Sequence, residues 1–123
     1  MGVAYENLKK IAVRLKENPK ALQVFVTDVG GKTVNWNMTF QFNLDGEDSF
    51  YLEIKDQQIS VENGISQDAG IVISGDNNTI TKICRGQGDF THGISREEIT
   101  VQKGKVMDII RLTRAITIVL KTE

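Results

Sequence analysis

From Thr33 to Leu44 apolar and polar side chains alternate without interruption, with Val34, Trp36, Met38, Phe40, Phe42 and Leu44 in one set and Thr33, Asn35, Asn37, Thr39, Gln41 and Asn43 in the other. Side chains of an extended chain point to opposite faces in turn, so the pattern predicts one long strand with a continuous apolar face rich in large side chains. At about 3.4 Å per residue such a strand would span roughly 40 Å, about twice the usual length. That face must be covered, and what covers it bears on both fold and function.

The neighbouring segments supply the cover. Tyr5, Leu8, Ile11, Ala12 and Leu15 recur at helical spacing opposite Lys9, Lys10, Arg14 and Lys16, which predicts an amphipathic first helix. Asn18 as cap and Pro19 at the first helical position start a second helix, expected to turn Leu22, Phe25 and Val29 inward and to stop at Gly30 and Gly31. Within it, Val24 to Thr27 carry strand-like propensity. Beyond the long strand, Asp45 to Asp48 form a turn, Phe50, Leu52 and Ile54 alternate with polar neighbours, and Asp56-Gln57 leads to Ile59 and Val61, giving a three-strand antiparallel meander. Ile71, Val72 and Ile73 in succession, within Ala69 to Ser74, suit a strand buried on both faces. Asp76 then caps a helix over Thr79 to Arg85, with Ile80, Ile83 and Cys84 on one side and Gly86 and Gly88 at its end. Asp89 to Ile94 reads as a short turn carrying Phe90 and Ile94, and Glu98 to Lys103 as a fifth strand broken by Gly104.

The last segment, Val106 to Leu120, is predicted to be a helix apolar over most of its circumference. Ile109, Leu112, Ile116, Val119 and Leu120 define one face, Met107, Ile110, Ala115 and Ile118 widen it, and only Asp108, Arg111, Arg114 and the threonines mark a narrow wet side. Such a helix must be buried, covered by a partner, or in contact with a bound apolar molecule.

Composition narrows the function classes. The 123 residues suit a single domain, 1–123, with one core. A formal net charge of -1, with no more than two adjacent basic residues, argues against a nucleic-acid partner, since phosphate contacts need clustered Lys and Arg. No apolar stretch approaches the length of a membrane span and the N-terminus does not read as a signal peptide, so the expected location is cytoplasmic. The single Cys84 has no internal disulfide partner and cannot build a metal site with the lone His92, so no metal is expected.

Catalytic motifs do not assemble. Gly30-Gly31-Lys32-Thr33 ends like a phosphate-binding loop, but Val26 stands where the first glycine belongs and a strand follows. Gly86-Gln87-Gly88-Asp89 begins a dinucleotide fingerprint, but Thr91 occupies the third glycine position. Asp45, Glu47 and Asp48 lack calcium-loop spacing and read as a solvated hairpin tip, as Glu97 and Glu98 read as a surface pair. His92 beside Phe90 reads as a loop or cap residue. Neither enzyme activity nor a cofactor is expected.

The order of elements resembles the sterol carrier protein (SCP-2-like) nonspecific lipid-transfer domain family. The resemblance rests on Asn18-Pro19-Lys20-Ala21 at a helix start, the strand pair Phe40 to Gly46 and Tyr51 to Lys55, the strand Gln58 to Glu62, the strand running into a capped helix at Ile71 to Asp76, and the final strand, Gly104-Lys105 and terminal apolar helix. It covers roughly nine-tenths of the chain, through patterns that are not diagnostic singly. It implies an α+β fold, a five-stranded mainly antiparallel sheet in order 3-2-1-4-5 with helices on one face and an apolar tunnel between. It implies non-catalytic binding, and intermembrane transfer, of a fatty acyl, sterol or isoprenoid lipid. The C-terminal Lys121-Thr122-Glu123 is no peroxisomal address.

Under that reading Trp36, Met38, Phe40, Phe42 and Phe50 form the tunnel floor, Ile80, Ile83, Phe90 and Ile94 its flank, and Ile109, Leu112, Ile116 and Val119 a terminal-helix lid. For each the competing reading is ordinary core, because a helix-backed sheet needs such residues regardless. Arg111 and Arg114 are candidates for an anionic head group, or simply a solvated helix face. The expected partners are an apolar lipid, transiently a membrane surface, and a second copy of the chain in a homodimer. The alternative is an accessory module whose apolar terminal helix is covered by another subunit.

Overall fold

The computed structural model describes residues 2–121; the reading of the C-terminal tripeptide therefore falls partly outside the described residues. Helix α1 spans Val3–Lys16 and buries Tyr5, Leu8, Ile11, Ala12 and Leu15, the face set by the sequence periodicity. Its N-cap, Gly2, has no side chain to satisfy the first amides. Glu47 does so from a distant turn, its carboxylate accepting from Ala4 N at 2.9 Å and Tyr5 N at 3.1 Å, where a negative charge also meets the positive end of the helix dipole. The turn residue expected to be solvated is thus a half-buried cap.

The predicted second helix is only one turn long. Helix α2 covers Pro19–Leu22, with Asn18 Oδ1 accepting from Lys20 N and Ala21 N, and a 3-10 turn follows over Gln23–Phe25. From Val26 the β-branched residues prevail over helical spacing: β1, Val26–Val29, pairs antiparallel with β2, Lys32–Asn35. Gly30 and Gly31, at φ 57° and 82°, form the two-residue connection between paired Val29 and Lys32. Two successive positive φ values are what a tight hairpin of this kind needs, and glycine adopts them without strain. The glycine pair therefore turns a ribbon instead of ending a helix, and Val29 points to solvent instead of inward.

The ribbon also interrupts the long strand. Trp36 and Asn37 separate β2 from β3, which runs Met38–Asp45. Trp36 N donates to Phe25 O at 2.9 Å and its ring stacks on Phe25, while Asn37 Oδ1 accepts from Asp56 N at 2.9 Å. The alternation of polarity continues through this break, because Trp36 still turns toward apolar neighbours and Asn37 toward polar ones.

Strands β4, Phe50–Lys55, and β5, Gln58–Asn63, complete the meander, and β6, Ile71–Asp76, and β7, Ile99–Lys103, extend the sheet on the other side of β3. The spatial order is β5-β4-β3-β6-β7. Chain numbering is 5-4-3-6-7, not 3-2-1-4-5, because the ribbon contributes two strands beforehand; counted within the sheet alone, the five segments lie in the expected sequence. The sheet is mixed, since β3 and β6 run parallel while the other neighbours are antiparallel. Helix α3, Asn77–Cys84, follows β6 directly, and α4, Phe90–Ser95, precedes β7. Helix α5, Val106–Lys121, closes the described chain.

Phe40, Phe42, Phe50, Leu52, Ile71 and Ile73 are buried on the side facing the helices, and α1 packs on β5 and against α3 and α5. Among the described residues no helix covers the outer side. Val72 is accordingly half-buried, so β6 is not buried on both faces. On that outer side Gln41 is only 2% exposed. Its Nε2 donates to Phe50 O at 3.0 Å and Gly64 O at 3.1 Å, and its Oε1 accepts from Ser66 N at 2.7 Å, so one amide pins the loop after β5 across the sheet.

Candidate functional site

The thirteen residues expected to line a tunnel are not gathered around an open space. Phe40, Phe42, Phe50, Ile80, Ile83, Phe90, Ile109, Leu112, Ile116 and Val119 are buried in one continuous apolar core, against which Trp36, Met38 and Ile94 are partly buried. Rings touch in succession: Phe42 stacks on Phe50 at 5.1 Å, Tyr5 meets Phe50 edge-on at 5.6 Å, and Phe90 lies 6.5 Å from Phe42. Trp36 belongs to the break between β2 and β3, not to the sheet floor. An enclosed tunnel between sheet and helices is not shown, and α5 packs into the core through Ile109, Leu112, Ile116 and Val119.

A cleft does open beside that helix. Asp76 starts α3 by accepting from Asn78 N at 3.2 Å. The helix stops where Gln87 N donates to Lys82 O at 2.9 Å and Gly86 N to Ile83 O at 3.1 Å, with Gly86 at φ 79°, a Schellman ending that throws the chain sharply away. Asp89 then caps α4 by accepting from His92 N at 2.8 Å. Between this two-helix corner and the C-terminal half of α5 lies a space of about 470 Å³. Its apolar walls are Ile83, Ile116 and Leu120, its sides include Thr113 and Thr117, and Arg85, Asp89 and Lys121 stand at its rim. Thr113 Oγ1 donates to Ile109 O at 3.1 Å, so its hydroxyl is already satisfied within the helix.

Of the sequence-predicted residues, Ile83 and Ile116 reach this cleft and the other eleven do not line it. Leu120, Thr113 and Thr117 were legible only as part of α5's face and wet stripe; their spacing of three and four residues along one ridge is the signal that places them together. A larger space, about 600 Å³, lies beside the β4-β5 hairpin, but Lys16, Glu53, Lys55 and Asp56 line it and Ile59 is its one apolar side chain, so it is a hydrated trough.

The candidate cation for a head group has another role. Arg111 Nη1 donates to Val24 O at 2.8 Å and Val26 O at 3.3 Å, and its guanidinium lies 4.8 Å from the centroid of the Trp36 ring. It is a strut between α5 and the base of the ribbon, whereas Arg114 is exposed as a solvated helix face would have it. His92 is exposed, its Nδ1 3.6 Å from Asp89 Oδ1. Cys84 is buried, and desolvation, only partly offset by the Arg85 charge, pushes its thiol up to about 12. Among the described residues no group of three His, Cys, Asp or Glu is arranged to hold a metal ion, and no helix is long and apolar enough to cross a membrane.

A family model described as the SCP-2 sterol transfer family matches residues 26–108. No curated protein sequence matches the chain. Several solved structures share the fold. A UbiJ-SCP2 ubiquinone synthesis protein superposes with a TM-score of 0.69 at 16% identity, covering 94% of each chain. A sterol carrier protein 2 gives 0.65 at 11% identity over 98% of this chain and 96% of that one. Palmitated SCP2L2 from Aedes aegypti gives 0.62 at 15% identity over 94% and 95%.

Proposed function

The chain belongs to the SCP-2 sterol transfer family, and from that premise we propose that it is a single-domain, non-catalytic carrier that holds the apolar chain of a lipid between α5 and the α3-α4 corner. The observation that carries this reading is the cleft of about 470 Å³ walled by Ile83, Ile116 and Leu120. Its volume falls within the roughly 300–1,000 Å³ range of small-molecule sites. Removing a hydrocarbon chain from water contributes about 0.8 kcal/mol per CH₂, so binding needs no reactive group. Phe42, Phe90 and Leu112 belong to the same continuous apolar core as the cleft residues Ile83 and Ile116. Polar specificity is weak: Arg85 and Lys121 share the rim with Asp89, a mixed set that suits a polar head group. The ligand class is fatty acyl, sterol or isoprenoid, in keeping with the palmitated SCP2L2 and the ubiquinone synthesis protein among the structural neighbours.

The subunit-cover alternative draws less support, because Ile109, Leu112, Ala115, Ile116 and Val119 of α5 are already buried within one chain. Thr117→Phe tests the cleft directly. It should weaken uptake of a fluorescent fatty acid by about tenfold or more, since a half-buried threonine on the wall becomes a ring that fills the space. Unchanged uptake by the folded variant would remove this site.

A further inference from the structure

Of the large apolar side chains left exposed, Val29 and Val34 lie on the ribbon and Val106, Met107 and Ile110 on the first turns of α5. The ribbon register places Val29 opposite Lys32 and Val34 opposite Thr27, so all four share one face. Phe25 and Trp36 continue that face inward, joined by the Trp36 N to Phe25 O bond, and there it enters the core. Asp28 lies on the other face, where Thr33 Oγ1 donates to its Oδ1 at 3.0 Å. The apolar side of the ribbon therefore carries Lys32 as its only charge. Arg111 fastens the ribbon base to α5 through Val24 O and Val26 O. Met107, 77% exposed, sits one helical turn before Arg111 on the same side of α5.

Charge is distributed unevenly in the same direction. Residues 26–35 and 103–114 hold five basic side chains and two acidic ones, in a chain whose net charge is -1. An apolar tip that carries exposed Lys32 on the same face, with exposed Lys105 just before α5, is complementary to an anionic bilayer, which takes up apolar side chains below its head groups and attracts nearby Lys and Arg. Five partly exposed side chains offer on the order of a few hundred Å², less than the roughly 600 Å² per partner that even the smaller stable protein interfaces bury. We propose that the ribbon tip and the start of α5 form a membrane-docking edge, with Val29, Val34, Met107 and Ile110 entering the lipid interface and Lys32 and Lys105 meeting anionic head groups. The inference deepens the lipid-carrier reading, because a carrier must reach the bilayer that supplies its ligand, but it is measured separately from ligand uptake.

The test is co-sedimentation of the full chain with vesicles of equimolar phosphatidylcholine and phosphatidylglycerol. The triple variant Val29→Thr, Val34→Thr, Met107→Gln should bind at least about tenfold more weakly, and Lys32→Gln about fivefold more weakly at low salt. Fatty-acid uptake by both should be unchanged, so loss of uptake in Thr117→Phe and loss of docking here report on different claims. A Val29→Cys variant carrying an environment-sensitive dye needs no loss of apolar surface elsewhere, and buried Cys84 stays unlabelled. Its emission should shift to the blue on adding these vesicles, while a dye on exposed Asp68→Cys should not. Absence of vesicle binding by the wild type, equal binding by the folded triple variant, or no shift at position 29 would overturn the proposal. So would a wild-type dimer that the triple variant dissolves, which would assign the edge to a second copy of the chain.

Discussion

Single side chains hold together pieces that backbone pairing does not reach. Glu47 caps a helix more than forty positions away, Gln41 pins a loop across the sheet, and Arg111 joins α5 to the ribbon. Arg111→Met keeps the aliphatic stem but removes two carbonyl contacts and the cation above Trp36, and should cost about 1–3 kcal/mol. Trp36 is the sole tryptophan, so urea unfolding followed by its fluorescence reads this strut directly. Cys84 makes a second residue-scale prediction. Its folded value of about 12 lies above the reference of 9.0, so the unfolded chain loses the proton first as pH rises. The neutral thiol's contribution is complete below pH 9 and is lost between 9 and about 12, at no more than about 1.4 kcal/mol per pH unit. Thermal melts across that interval should fall less steeply in Cys84→Ala, and a thiol reagent at neutral pH should modify Cys84 only on unfolding. Equal slopes and rapid modification of the native protein would mean that the thiol is accessible.

Among the elements, those whose own periodicity matches their burial were legible. Helix α1, the meander from β3 to β5, the Asp76 cap of α3 and the apolar faces of α5 all follow from spacing alone. The ribbon was not, because Leu22, Phe25 and Val29 fit helical spacing and a glycine pair can end a helix as readily as turn a hairpin; the β-branched run from Val24 settles it only once β2 is there to pair. The break at Trp36 and Asn37 was invisible for a different reason: tertiary partners replace sheet partners without changing which residues are apolar. The site was legible in part. Ile83 and Ile116 belong to both core and cleft, and spacing does not distinguish a side chain that touches protein from one that borders a space. Because α5 is a core wall, Leu112→Ala should cost about 2–5 kcal/mol, as a truncated core residue does. A cost under about 1 kcal/mol in urea titration would instead describe a helix that detaches easily.

At the scale of the whole molecule, a mixed sheet backed by helices leaves a cleft where α5 meets the α3-α4 corner, and an apolar, cationic edge where α5 meets the ribbon. One end of α5 thus borders the proposed ligand and the other the proposed membrane, so uptake and docking share an element without sharing residues. A fold that carries a lipid should bring that lipid through purification. Native mass spectrometry of the purified full chain, repeated after organic extraction, reads this. A one-to-one adduct is expected with the mass of a fatty acyl, sterol or isoprenoid lipid, lost on extraction and restored by adding the extracted lipid back. A protein of bare chain mass that takes up no probe of any of these three classes would contradict the lipid-carrier reading.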